Sequence, residues 1–134
     1  MSGPQLCVGA VCRRGNDLLM VRRGHGPAAG TWALPGGRVE AGETVAEAVV
    51  RELEEETGLH GVCGPLLGWA EATADAPPWV VLDFECTVLS GEEPRAGDDA
   101  AEARWVPVWE VPELRLPDGL AEFLADHGVI DTLT

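Results

Sequence analysis

Glu52, Glu55 and Glu56 stand at i, i+3 and i+4 in an acidic segment interspersed with apolar residues. On a helix, at about 100° per residue, they fall within roughly 100° of one another and share one face. Like charges so placed repel by a few tenths of a kcal/mol per pair, and by more when partly buried. A hard, oxygen-seeking divalent cation is the natural neutraliser of such a cluster. Arg51 adjoins Glu52, Glu43 lies upstream, and Gly37 opens the segment. Helix composition alone also fits a solvated acidic face, because Glu is a good helix former.

The elements that would position these groups follow from local signals. Thr44 and Glu47 have capping-box spacing and Gly58 supplies a stop, so the spacing predicts a helix over Thr44–Thr57. Ala46, Val49, Val50 and Leu53 form an apolar stripe that must face a core, with the three glutamates beside it. Strands are expected at Gln5–Cys12 and Leu18–Arg23, joined by the Gly15–Asp17 turn and followed by a Gly- and Pro-rich loop over 24–30. A short strand, Trp32–Leu34, should stop at Pro35–Gly36–Gly37. Further strands are expected at Leu66–Thr73, Trp79–Leu89 and Glu102–Pro107, and a short helix at Asp118–His127. This order implies an α+β fold or mixed-sheet sandwich forming one domain over 1–134, without internal repeat or linker.

Composition narrows the partners. The 134 residues carry a net charge of −14, which disfavours sequence-independent binding of polymeric nucleic acid. Residues 1–36 are the only net-positive third, and every basic residue is Arg. Cys7, Cys12, Cys63 and Cys86 show no metal-ligand spacing and lie in apolar stretches, so they read as reduced core thiols. The N-terminus has no basic run before an apolar one, and no uncharged stretch is long enough for a bilayer, so a soluble cytoplasmic protein is expected, with no membrane partner.

The stretch GRVEAGETVAEAVVRELEEETGL, residues 37–59, resembles the signature of the Nudix hydrolases at every typed position: Gly37, Glu43, Arg51-Glu52, Glu55-Glu56 and Gly58. Seven typed positions at roughly 7% each match by chance on the order of 10⁻⁸ per window. Trp32-Ala33-Leu34-Pro35-Gly36 and Glu102-Ala103-Arg104-Trp105-Val106-Pro107 resemble that family's flanking strands. The resemblance implies an α/β/α sandwich with a central mixed β-sheet, a catalytic loop-helix-loop and a C-terminal helix. It implies Mg²⁺- or Mn²⁺-dependent hydrolysis of a nucleoside diphosphate linked to another moiety. Glu52, Glu55 and Glu56 would be metal ligands, with the Gly36 carbonyl a further one. Gly37 would permit a close turn, Arg51 would orient Glu52, and Glu43 would hold Arg51. Glu52 is the candidate base, and Asp98, Asp99 and Glu102 offer an extra ligand or an alternative base.

Arg22, Arg23 and Arg38 are the cations nearest the signature and are candidates for a terminal phosphate, while Trp32, Phe84 and Trp79 are candidates to stack a base. His25, His60 and His127 are read as surface or helix-end residues. The chain has no Tyr, and Pro77 and Pro78 sit near but not at the spacing associated with ADP-ribose pyrophosphatases. The small substrate expected first is therefore a (deoxy)nucleoside triphosphate giving the monophosphate and pyrophosphate, with ADP-ribose or a nucleotide sugar as the alternative. A non-catalytic nucleotide-sensing module is the alternative of another class, and a homodimer is a possible assembly.

Overall fold

The computed structural model describes residues 3–73, 75, 77–89, 91–97 and 99–131. Two antiparallel-rich sheets share strand β1 (Gln5–Arg14). In the first, β4 (Gly36–Arg38) pairs antiparallel with β1, β1 runs parallel to β6 (Trp79–Val88), and β6 pairs antiparallel with β5 (Gly61–Ala72). In the second, β2 (Asp17–Arg23) pairs with the end of β1, with β3 (Trp32–Ala33) and, along its whole length, with β7 (Ala100–Pro107). Helix α1 (Val45–Thr57) covers one face, while α2 (Leu120–Asp126) and a 3-10 turn at Val111–Glu113 cover the other.

Alternation along the strands separates two cores. Val8, Ala10, Cys12, Leu19, Phe84 and Cys86 pack with Ala48, Val49 and Leu53 of α1. Val11, Leu18, Met20, Trp32 and Val106 pack with Leu124, Val129 and Ile130. The mixed sheet, the single long helix and the C-terminal helix agree with the expected α+β sandwich.

Three details differ. Gly36–Arg38, expected to end a strand, forms the edge strand β4, because Gly36 and Gly37 can approach Gly9 and Val8 closely. Strand β5 begins at Gly61, earlier than expected, with irregular register around Leu66. Helix α2 is shorter than the predicted one: Asp118 and Gly119 form a turn, and Gly119 adopts a left-handed φ of 87°.

Candidate active site

Helix α1 starts and stops as its sequence dictates. The Thr44 hydroxyl accepts from Glu47 N at 3.1 Å and Glu47 Oε1 accepts from Thr44 N at 2.8 Å, closing the capping box. Gly58 ends the helix at φ 73°. The buried face is rotated from the expected stripe: Ala46 is exposed and Val50 only half-buried, whereas Ala48, Val49, Leu53 and Thr57 are buried. The rotation turns Glu52 and Glu56 inward, over β4.

Two glycines make that turn possible. A Cβ on Gly37 would lie 2.7 Å from the Glu52 carboxyl carbon, so the carboxylate occupies the space a side chain would take. Gly36 N–H donates to Glu56 Oε1 at 2.6 Å. The missing side chain at Gly37 thus leaves room for the Glu52 carboxylate, and Gly36 reaches Glu56 through its amide.

Arg51 is the hub. Its Nε and Nη2 donate to the two Glu43 oxygens at 2.6 and 3.0 Å, a bidentate pair. Nη1 donates to Glu52 at 2.7 Å and Glu55 at 3.2 Å, and Nη2 also donates to the Arg38 carbonyl at 3.0 Å. The guanidinium holds the Glu43 carboxyl down to about 2, chiefly through that hydrogen bond. Glu52 has a side chain only 14% exposed. Burial pushes its carboxyl above the ordinary range, while Arg51 pulls it back. Arg51 in turn is stabilised in its charged form, first by Glu43.

The segment before β7 is tied to the end of α1. Arg95 N donates to Thr57 O at 2.8 Å and Gly97 N to Glu56 O at 3.2 Å. Asp99 comes two residues on, and its carbonyl accepts from Gly24 N at 2.9 Å. The backbone thus carries Asp99 alongside the Glu55–Glu56 end of the helix; Asp98 lies outside the described residues. Glu102 is a correction: its carboxylate meets Arg22 and Arg104, each at 3.4 Å. Its register partner Arg22 shares the Met20 face of β2, away from α1, so Glu102 is not beside the glutamates.

The arginine and aromatic candidates divide. Arg22 stays on that far face with Arg104, both stacked on the Trp32 ring at 5.8 and 4.9 Å. Arg38, at the register partner of Cys7 on β4, and Arg23, exposed at the end of β2, both act electrostatically on Cys7 near Glu52. Trp32 and Phe84 are core residues, 7% and 8% exposed, so neither presents an open stacking face. Trp79 is half-buried, with its indole N–H donated to Asp75 at 2.6 Å.

One polar group escaped the sequence reading. Asp83, in the middle of β6, is 4% exposed and has the His127 imidazole as its charged neighbour. Burial pushes its carboxyl up to about 6, with His127 pulling the other way. Its local sequence, Leu82-Asp83-Phe84, gave no sign beyond an acid in an apolar strand.

Glu52, Glu55 and Glu56, with oxygen donors only, are the residues suited to a hard divalent cation, and the missing Gly37 side chain gives Glu52 its place there. Among the described residues no three ligand groups converge into a cage, because Arg51 engages Glu52 and Glu55 while the Gly36 amide engages Glu56. Filling the site exchanges some of these bonds. Among the described residues no helix is long and apolar enough to cross a membrane.

The NUDIX domain pattern matches residues 3–127. An ADP-ribose pyrophosphatase from Methanocaldococcus jannaschii is 42% identical over 113 residues, covering 83% of this chain and 66% of that protein. An 8-oxo-dGDP phosphatase from Homo sapiens is 33% identical over 100 residues, covering 72% of this chain and 30% of that protein. A MutT NUDIX hydrolase structure from Burkholderia pseudomallei is 30% identical, with TM-score 0.77, covering 92% of this chain and 97% of that one. The chain thus spans just under two thirds of the archaeal relative's length and under a third of the human one's.

Proposed function

The chain belongs to the Nudix hydrolase family, a class of pyrophosphatases, and on that premise we propose that it hydrolyses the pyrophosphate linkage of a nucleoside diphosphate derivative. The observation that carries this reading is the Arg51 hub, which fixes Glu43, Glu52 and Glu55 around one guanidinium beside the Glu56–Gly36 contact. Glu52, Glu55 and Glu56, with the Gly36 carbonyl as a further candidate, would hold a Mg²⁺ or Mn²⁺ ion, which when bound would supply charge neutralisation on the phosphate oxygens. Arg51 keeps the carboxylates aimed, and Glu43 holds Arg51 from the other side. Glu52, buried against Gly37, accepts the proton of the attacking water, with Asp99 the alternative acceptor. Water adds its oxygen to phosphorus, the bridging P–O bond breaks, and the leaving phosphate departs with the electron pair. Arg23 and Arg38, both close enough to act on the Cys7 thiol near Glu52, are the cations we assign to steady that group.

A (deoxy)nucleoside triphosphate, yielding a monophosphate and pyrophosphate, is the first substrate class. ADP-ribose is the second reading, favoured by the 42% identity to a protein of that name. The deciding experiment incubates the purified chain with Mg²⁺ or Mn²⁺ and nucleoside triphosphates, nucleoside diphosphates, ADP-ribose, nucleotide sugars or dinucleoside polyphosphates. Release of phosphate-containing products from at least one, lost in Glu55→Gln and Glu56→Gln, is the expected result. No release from any of them overturns the reading.

A further inference from the structure

Helix α1 has no basic residue in its last turn, and the Gly58 amide that follows it satisfies the Glu54 carbonyl at 2.8 Å. Later carbonyls are closed from a distant part of the chain, the segment between β6 and β7. Gly97 N–H donates to Glu56 O at 3.2 Å, and Arg95 N–H donates to Thr57 O at 2.8 Å. Arg95 Nη2 lies 3.7 Å from where a Cβ on Gly58 would stand, which puts a cation at the negative end of the helix. The helix that carries the glutamates is therefore capped by the segment that carries Asp99.

Glycine at position 97 has one identifiable cause. Its φ is not left-handed, so backbone conformation does not require it. A Cβ there would collide with the Glu55 carbonyl oxygen and lie 3.3 Å from the carbonyl carbon. Those atoms belong to helix backbone and cannot swing aside as the end of a side chain does, so any side chain at 97 must lift the segment off the helix. Gly24 makes the matching approach from β2: a Cβ on it would lie 2.9 Å from Asp99 O and 3.3 Å from Ala101 N, and its amide donates to that same Asp99 oxygen. Ala100 N donates to Gly97 O at 2.9 Å, closing the turn that contains Asp99. Two residues span at most about 7 Å, which bounds the distance of the Asp99 backbone from Gly97. Asp99 itself is exposed, so these two close approaches fix an acid that no core requires there.

Resting on the pyrophosphatase reading above, we propose that Gly97 is a positioning residue of the hydrolysis, its missing side chain docking Asp99 beside the Glu55–Glu56 end of α1. Gly24 is its counterpart on the β2 side. The effect of Gly97 on the reaction is exerted through Asp99.

The test is a double-mutant cycle joined to a readout of position. On the best substrate of the panel above, kcat and KM are measured with Mg²⁺ for wild type, Gly97→Ala, Asp99→Asn and the double variant. Gly91→Ala is the control, in the same segment but where a Cβ meets nothing within 4 Å, and it should match wild type. Gly97→Ala and Asp99→Asn should each lower kcat by about 10- to 100-fold with KM unchanged, and the double variant should be no slower than Asp99→Asn. An unchanged kcat in Gly97→Ala, or a loss in the double variant equal to the product of the single losses, overturns the proposal. Position is read from backbone amide NMR signals with Mn²⁺ alone, whose paramagnetism broadens nearby nuclei. In wild type Glu56 and Asp99 should broaden together, and in Gly97→Ala the broadening of Asp99 relative to Glu56 should fall. No joint broadening in wild type, or equal relative broadening in both proteins, overturns the docking. If Gly97→Ala fails to fold, Gly24→Ala takes its place in every comparison. Wild type that turns over no substrate overturns the earlier reading instead, and the Mn²⁺ broadening then judges this one by itself.

Discussion

The two faces of the first sheet use glycine in the same way and reach opposite electrostatic results. On the α1 face, Gly37 yields its side-chain space to Glu52, and that carboxylate is immediately gripped by Arg51 at 2.7 Å. On the α2 face, Gly9 yields its space to Asp83, whose polar neighbour is the His127 imidazole lying on Gly68. One carboxylate belongs to a set of charged partners, and the other is buried with a single titratable neighbour. The difference teaches that a vacated glycine position marks where a polar group is seated, while its partners and burial decide whether its charge is held or pushed toward neutrality.

The largest expected effect breaks the α1 side. Glu56→Gln should lower kcat by about 10²–10⁴-fold in a steady-state assay, with melting temperature nearly unchanged. Gly37→Ala comes next: the new methyl must displace the flexible end of Glu52, so turnover should fall by about 10²-fold without loss of the fold, read as kcat and circular dichroism together. Its counterpart Gly9→Ala pushes Asp83 aside on the opposite face and should lower the melting temperature while sparing kcat. If both alanine variants damage kcat alike, the contrast between the faces is lost.

Stability against pH sharpens the same comparison. Asp83 titrates at about 6 in the folded chain against 3.8 ordinarily, because burial disfavours its charge. The folded state thus holds the proton more tightly, so this contribution is fully present below about pH 4 and is lost as pH rises through 6. Its size is about 2–3 kcal/mol. Denaturant titrations from pH 4 to 7 should show that decline in wild type and its absence in Asp83→Asn. Glu43 has the opposite sign: held at about 2, it adds stability above its ordinary 4.5 that is lost as pH falls toward 2. The smallest effect is a control on neither face's chemistry: Thr44→Ala removes the α1 cap and should cost about 1 kcal/mol with kcat intact.

Arg51, Glu52, Glu55 and Glu56 can be grouped from the sequence because they lie on successive turns of one helix, where spacing along the chain is spacing in space, and Glu43 sits just before the helix cap. The helix ends were legible for the same reason, Thr44 and Gly58 being local signals. Its rotation was not, since Ala46 and Ala48 are equally apolar and only packing over β4 chooses between them. The Gly36–Gly9–Asp83–Gly68 row across β4, β1, β6 and β5 was invisible because it is written in strand register, joining residues far apart in sequence. Trp32 and Phe84 read as stacking candidates because an aromatic on a strand carries no mark of which face it will take; both went to the cores.

The bonds from Arg95 and Gly97 to the last turn of α1 have a dynamic consequence. Those two amides lie outside any regular element, yet their acceptors are carbonyls of the helix that carries the glutamates. In hydrogen-exchange experiments they should be protected and should exchange in step with the C-terminal turn of α1, as one cooperative opening unit. The segment bearing Asp99 and the helix bearing Glu56 would then loosen together or not at all.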